Sequence, residues 1–271
     1  MNLIKLNLAR NCIKYLINAY GIKAIFIPYY ICDTVWQAIR EENCRVSFYH
    51  IGADFMPVEK LPQNAYIIYP NYYGLCVENC QKLANLYSNL IVDNTQAFYS
   101  EPMGLASFYS LRKFFPVTDG AYLYSDKLLN CEFEKDSIDL PLVSPQQDYK
   151  KFVQNELFLN EQKDIKFIGE KVEKQMKNID FQSDKQQRLY LYEKYYKKYD
   201  KYNKIHLLPK VDEIPFCYAF SPVSDEIKNE IISKNIPLIR LWKNMPKNYI
   251  EYNILNDVVA MPLNSYSKYF L

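Results

Sequence analysis

The sequence predicts an α/β protein with a mostly parallel central sheet flanked by helices, and a small α/β subdomain near the carboxyl end. Two observations support this fold class. Short apolar runs alternate with helical patterns along the first 125 residues. The runs are apolar on both faces, as in a parallel sheet that is covered by helices on both sides. With 271 residues, the chain can bury one sizeable core and a smaller subdomain.

The helices and strands of the first half are predicted from the spacing of apolar residues and from the residues that end each element. The apolar stripe of residues 6–20 predicts a helix that stops at Gly21, the residue type that most often ends a helix. Further helices are predicted over residues 34–40 and 77–87. The predicted strands are residues 23–29, 45–49, 65–69, 89–93, 107–110 and 121–124.

The second half divides into a helical segment and a small α/β piece. Residues 146–204 are rich in Lys, Glu, Gln and Tyr and contain one glycine and no proline, which predicts two or three long helices. The rest predicts a strand at 216–223, a helix at 225–234, a strand at 237–242 and a tail that ends with residues 258–270. We therefore expect a large α/β domain over 1–135, a helical segment over 136–206 and a small subdomain over 207–271.

Charge and composition exclude several classes of protein. The 33 basic and 31 acidic residues leave a net charge of +2, too balanced for a nucleic-acid-binding surface. The seven cysteines show no C-x-x-C spacing and there are two histidines, so we expect no metal site. The sequence shows neither a signal peptide nor an apolar run of membrane-spanning length, which predicts a cytoplasmic protein with no membrane partner.

A lysine and a carboxylate are expected to meet at the carboxyl edge of the sheet, where ligands of α/β proteins bind. Asp93 ends the predicted strand NLIVD, Gln96 follows in DNTQAF, and Lys113 lies in the apolar run SLRKFFP just past the next strand. A carboxylate that faces a pyridine nitrogen, opposite a lysine that binds an aldehyde, is the arrangement that pyridoxal phosphate requires. Taken singly, Lys113 could be a lysine at a strand end and Asp93 a turn residue.

The stretch around these residues resembles a known family. It reads IVDNTQAFYSEPMGLASFYSLRKFFPVTDGAYLYS and is similar to the cofactor region of the DegT/StrS-type nucleotide-sugar aminotransferases. The family's strand-ending acid, with a glutamine three residues later, matches Asp93 and Gln96. The family's lysine, followed by an acid and a glycine six and seven residues later, matches Lys113, Asp119 and Gly120.

The resemblance extends along most of the chain outside the helical segment. Upstream it covers IPYYICDTVWQAI and RVSFYHIGADFMP, and downstream NIPLIRLWKN and VVAMPLNSYSKYF. It implies fold type I, pyridoxal phosphate as the cofactor, and transfer of an amino group, usually from glutamate, to a keto-sugar nucleotide. It also implies a homodimer. In this scheme Lys113 binds the cofactor and moves the proton, Asp93 pairs with the ring nitrogen, and Gln96 contacts the cofactor.

The sequence departs from the family at the phosphate and ring positions. The small-residue turn before the first helix is LARN here, so Arg10 and Asn11 are expected to help hold the phosphate, with the free N–H groups of a helix start. A serine usual five residues before the lysine is a phenylalanine, which leaves Ser107 or Ser110 as contacts. The position of the stacking aromatic is a cysteine, so Tyr29 or Tyr30 would substitute.

The sequence therefore predicts a pyridoxal-phosphate-dependent aminotransferase that acts on a keto-sugar or a similar small carbonyl compound, in surface-polysaccharide or other sugar biosynthesis. Two alternatives stay open. One is another reaction of the same cofactor, such as dehydration, against which the presence of Lys113 argues. The other is a non-catalytic member of the fold, which the altered phosphate turn and the short chain favour.

Overall fold

The computed structural model describes residues 1–144, 147–242 and 245–263. The strands are β1 (Asn2–Leu6), β2 (Ala24–Pro28), β3 (Arg45–Tyr49), β4 (Tyr66–Pro70), β5 (Leu90–Asp93), β6 (Ala106–Ser110), β7 (Ala121–Ser125), β8 (Cys217–Phe220) and β9 (Val259–Pro262). The helices are α1 (Ala9–Tyr20), α2 (Asp33–Glu41), α3 (Val77–Leu86), α4 (Tyr149–Glu161), α5 (Glu170–Lys177), α6 (Phe181–Tyr199), α7 (Asp225–Ser233) and α8 (Ile250–Leu255).

Seven strands form one central sheet in the order β1-β7-β6-β5-β4-β2-β3. The strands β6, β5, β4, β2 and β3 run parallel, and β7 runs antiparallel to both of its neighbours. The mixed, mostly parallel α/β fold predicted from the sequence is confirmed. Because β5 and β6 end at the same edge, Asp93 and Ser110 are delivered to that edge, and β7 begins there at Ala121.

The sheet has a hydrophobic core on each face. Alternate side chains of a strand point to opposite faces, so Ile67 and Tyr69 of β4 belong to one core and Ile68 belongs to the other. In β5, Leu90 and Val92 likewise separate from Ile91. This burial on both faces explains why these strands appear in the sequence as continuous apolar runs.

Two elements differ from the sequence-based expectation. The predicted first helix began at residue 6, whereas α1 begins at Ala9 and residues Asn2–Leu6 form β1, an edge strand paired with β7. The predicted strand at 237–242 is reduced to one bridge, between Ile239 and Ala260. The ends of two stretches that carry the resemblance, 243–244 and 264–270, lie outside the described residues.

The helical segment packs against both the sheet and the small subdomain. Tyr192 and Tyr199 of α6 are buried and contact Tyr218 and Phe220 of β8. The aromatic spacing in this segment thus forms a packed helix face, as the sequence predicted. In the part of the chain that the structure describes, no helix combines the length and apolar character needed to cross a membrane.

Candidate active site

A cavity of about 270 Å³ lies at the carboxyl edge of the central sheet. This volume is close to the lower end of the range of about 300–1,000 Å³ found for small-molecule sites. The polar side chains that line it are Arg10, Thr34, Asp93, Thr95, Ser110, Arg112 and Lys113, together with Glu156 and Asn160 from α4. The structure thus brings Lys113 and Asp93 into one pocket with two arginines.

Lys113 lies in the turn that follows β6. Its Nζ atom donates a hydrogen bond to Oγ1 of Thr95, at 3.0 Å. The next two residues, Phe114 and Phe115, are buried in the core. The apolar run around the lysine therefore anchors the turn, and this anchorage leaves the amine directed into the cavity lining.

Asp93 ends β5 and is 6% exposed. One of its carboxylate oxygens accepts a hydrogen bond from the backbone N–H of Thr95, at 2.9 Å. Desolvation raises the pKa of Asp93, against the opposing effects of the Lys113 charge and the Thr95 hydrogen bonds. A buried carboxyl group in this state gains from a cationic partner, which would restore its ionised form.

The cavity has a cationic region at the start of α1. Leu8, the residue that precedes the helix, makes no side-chain cap, and the helix start and the Arg10 side chain contribute to the lining. Burial, and then the charge of Arg112, lower the pKa of the Arg10 guanidinium. With the Ser110 hydroxyl nearby in the same lining, these groups form a site suited to a phosphate or carboxylate.

Helix α4 reaches both arginines. Arg10 donates a hydrogen bond to Oδ1 of Asn160, at 2.8 Å, and Arg112 forms an ion pair with Glu156. The two α4 residues are one helical turn apart and so face the cavity together. Sequence reasoning missed them, because nothing in a Lys- and Glu-rich helix marks which acid turns inward.

The side chains of Gln96 and Asn11 form hydrogen bonds with other residues of the protein. The side-chain oxygen of Gln96 accepts a hydrogen bond from the backbone N–H of Tyr73, at 2.8 Å. The amide of Asn11 donates to the Asn7 side chain at 2.9 Å and to the backbone carbonyl of Asp164 at 2.7 Å. Both residues lie outside the cavity lining and support the segments on which Asp93 and Arg10 are placed.

The two candidate serines differ in position. Ser110, at the end of β6, lines the cavity, whereas Ser107 exchanges hydrogen bonds with the backbone of Met103, each at 2.9 Å. Of the two residues that the sequence leaves open, Ser110 is the one that the structure places beside Lys113 and Arg112.

The candidate ring-stacking tyrosines lie outside the cavity lining. Tyr29 stacks on Phe48, with ring centroids 4.9 Å apart. Tyr30 is buried and packs edge-on against Trp242, at 4.5 Å. Trp242 itself lines the cavity together with Cys32. The aromatic rings of the lining are therefore supplied by Phe108 of β6 and by Trp242 of the small subdomain. Only the long-range fold reveals the contribution of Trp242.

The acid–glycine pair that follows Lys113 by six and seven residues lies at the cavity, and Gly120 is part of the lining. Gly120 has φ +99°, and a Cβ atom there would lie 2.9 Å from Leu111 and 3.0 Å from Val172, so only glycine fits without a shift. Burial raises the pKa of Asp119 to about 6. Asp119 accepts a hydrogen bond from the Thr118 hydroxyl, at 2.9 Å. Its other carboxylate oxygen is buried and has no hydrogen-bond partner among the residues that the structure describes.

Within residues 1–144, 147–242 and 245–263, no three His, Cys, Asp or Glu side chains come together as a metal site would require.

Comparison by sequence matched no protein-family model and no curated protein. Comparison of structures found sugar aminotransferases. One is a DegT DnrJ EryC1 StrS aminotransferase from Brucella abortus, with 12% identity over 99% of this chain and 83% of that chain, and a TM-score of 0.64. Another is the sugar aminotransferase CalS13 from Micromonospora echinospora, with 9% identity over 98% and 84% of the two chains, and a TM-score of 0.62.

A third similar structure is NtdA from Bacillus subtilis with its cofactor PMP bound. It is 13% identical over 100% of this chain and 70% of that chain, with a TM-score of 0.63. At these identities the likeness establishes the fold. The chain has fold type I, the fold of these aminotransferases, as the resemblance in the sequence implied.

Proposed function

We propose that this protein is a pyridoxal-phosphate-dependent aminotransferase of the DegT/StrS type. It would transfer an amino group, with glutamate as donor, to a keto-sugar or similar small carbonyl compound in sugar biosynthesis. The observation that carries the proposal is the position of Lys113 and Asp93 in one cavity at the carboxyl edge of the sheet. A cytoplasmic homodimer is part of the proposal, by analogy with the family.

The residues of the cavity fit the cofactor. A buried carboxyl group with a raised pKa favours a cationic partner such as a protonated pyridine nitrogen, and Asp93 is such a group. The cationic region formed by Arg10, Arg112 and the start of α1 fits a phosphate. Lys113, which shares the cavity lining with both groups, would supply the amine.

Each side chain would have a distinct task. When bound, pyridoxal phosphate supplies an aldehyde that takes up the amino group and a ring that withdraws electrons. Lys113 would bind the aldehyde carbon through Nζ and afterwards carry a proton on that atom. Thr95, as the hydrogen-bond acceptor of this amine, would hold it in place between turnovers. Asp93 would keep the pyridine nitrogen protonated.

The assignment of Lys113 is tested by reduction. Incubation of the protein with pyridoxal phosphate, followed by borohydride, is expected to attach the cofactor to the peptide that contains Lys113, as detected by mass spectrometry. Lys113→Ala should abolish this labelling. Lys171→Ala is the control, because Lys171 is exposed and pairs with Asp139. Equal labelling of another lysine in Lys113→Ala would refute the assignment.

A non-catalytic binding protein is the second candidate, and one observation favours it. Glu156 and Asn160 supply partners to the two arginines from within the chain, so the anion region is partly neutralised before any ligand arrives. Release of 2-oxoglutarate from glutamate by the protein loaded with cofactor separates the two functions. Cofactor attachment without any such release would favour the second candidate.

A further inference from the structure

Arg188 of α6 is a completely buried arginine, with an exposed fraction of 0%. Desolvation lowers the pKa of its guanidinium, against the opposing charge of Asp184. Its Nε donates to Asp184 at 2.7 Å, and its Nη1 donates to the carbonyl of Phe216 at 3.0 Å. A buried ion pair is expensive to desolvate and is often replaceable by apolar residues at no loss of stability. The presence of the buried Arg188–Asp184 pair therefore favours a role in fixing the positions of neighbouring segments.

The remaining guanidinium nitrogen, Nη2, reaches the lysine turn. Nη2 of Arg188 donates to the backbone carbonyl of Phe114, at 3.3 Å, and the guanidinium carbon lies 4.3 Å from the centre of the Phe114 ring. Phe114 directly follows Lys113 in the chain. Arg188 thus holds both the backbone and the ring of the residue next to the candidate catalytic lysine.

Its partner Asp184 reaches the segment that follows β5. Asp184 accepts a hydrogen bond from the Tyr99 hydroxyl, at 2.7 Å. The Tyr99 ring packs edge-on against Phe114, with centroids 5.9 Å apart. Tyr99 is four residues past Thr95, the acceptor of the Lys113 hydrogen bond. One ion pair on α6 therefore contacts both irregular segments whose side chains meet in the cavity.

We propose that Arg188, together with Asp184, is a positioning residue that sets the place of the Lys113 amine relative to Thr95 and Asp93. This inference rests on the proposed function only in taking Lys113 as the reactive amine. It gives the Lys- and Tyr-rich helical segment a functional task, because α6 carries the pair and 74 residues separate Arg188 from Phe114 in the chain.

The test measures the reactivity of Lys113 in the folded protein, without cofactor. Trace labelling with acetic anhydride, read by mass spectrometry over a range of pH, gives the rate at Lys113 relative to exposed Lys171. In Arg188→Met this relative rate is expected to rise roughly threefold to tenfold, because loss of the Phe114 anchor releases the amine from Thr95. Arg188→Lys keeps the charge but lacks the several N–H donors of a guanidinium. In this variant the relative rate at Lys113 is expected to return part of the way to the wild-type value.

The control is Glu251→Gln. Glu251 is a buried acid whose carboxylate accepts hydrogen bonds from His50 and from the backbone N–H of Ile51, away from the lysine turn. It should lower Tm and leave the Lys113 rate unchanged. An unchanged rate in folded Arg188→Met would overturn the proposal.

A milder variant keeps the inference testable if Arg188→Met does not fold. Tyr99→Phe removes one hydrogen bond to Asp184 and leaves the ion pair intact, and a smaller rise in the Lys113 rate is expected; no rise would count against the proposal. Failure of the wild type to take up pyridoxal phosphate would contradict the proposed function alone, since the labelling experiment does not use the cofactor.

Discussion

At the scale of single residues, Asp119 is the acid whose ionisation the fold opposes most clearly. Its pKa rises from 3.8 to about 6, chiefly through burial and further through the Asp136 charge, while Thr118, Arg112 and Lys171 oppose the rise. Between these two pKa values the folded protein retains a proton that the unfolded chain has lost. The free energy of unfolding should therefore fall as pH rises from about 4 to about 6 and stay lower above that range.

A substitution at Asp119 should remove this pH dependence. The contribution of Asp119 is on the order of 2–3 kcal/mol, at about 1.4 kcal/mol per pKa unit. Asp119→Asn should remove that part of the decrease in unfolding free energy between pH 4 and pH 7, as measured by urea unfolding at each pH. Asp139→Asn, at an exposed acid, should keep it. If the pH profile of Asp119→Asn coincided with that of wild type, burial would not govern this carboxyl group.

The sequence predicts which residues lie at the ends of strands. It does not predict where a side chain points when the surrounding packing decides its direction. Asp93 and Ser110 end parallel strands, so topology alone brings them to one edge of the sheet. Ser107 lies on the same strand as Ser110, yet its hydroxyl bonds back to Met103. Gln96 has the spacing of a cofactor contact, but its amide supports the Tyr73 backbone.

At the scale of elements, the central strands could be predicted and the edge and inserted elements could not. β4 and β5 are apolar on both faces and so are recognisable alone. β1 is an edge strand with exposed residues, and its place depends on β7, which lies more than a hundred residues later. The contact of α4 with the cavity likewise joins Arg10 and Asn160, 150 residues apart, and no local pattern encodes it.

Helix α4 carries the acid that pairs with Arg112 at the cavity. Because the Glu156 carboxylate and a bound phosphate would share Arg112, Glu156→Gln should tighten the binding of pyridoxal phosphate. The gain should be roughly twofold to fivefold, since partly exposed ion pairs contribute about 0.2–1 kcal/mol. Titration calorimetry measures it, with Glu161→Gln at the exposed end of the same helix as control. Weaker binding in Glu156→Gln would mean that Glu156 orients Arg112 for the ligand.

At the scale of the whole molecule, the cavity joins all three parts of the chain. Its lining takes Asp93 from β5, Lys113 from the turn that follows β6, Glu156 from the helical segment and Trp242 from the small subdomain. The small subdomain is also held by Glu251, which bonds His50, and by the backbone pair of Phe216 and Tyr73. A ligand in this cavity would contact all three parts of the chain. It would therefore stabilise the whole folded chain rather than a single part of it.

Binding of a ligand in the cavity should raise the melting temperature of the whole chain. A ligand that binds only the folded state stabilises it by about 2.7 kcal/mol when its concentration is a hundred times Kd. For a chain of this size, each kcal/mol raises Tm by roughly 2–4 °C, so pyridoxal phosphate at that excess should raise Tm by roughly 5–10 °C. Differential scanning calorimetry of the full chain measures the shift. Pyridoxal at the same concentration lacks the phosphate and should give a clearly smaller shift, because Arg10 and Arg112 would have no anion to bind. Equal shifts from the two compounds would show that the cationic region is not the phosphate site, and an undiminished shift in Lys113→Ala would show that the amine contributes nothing to binding.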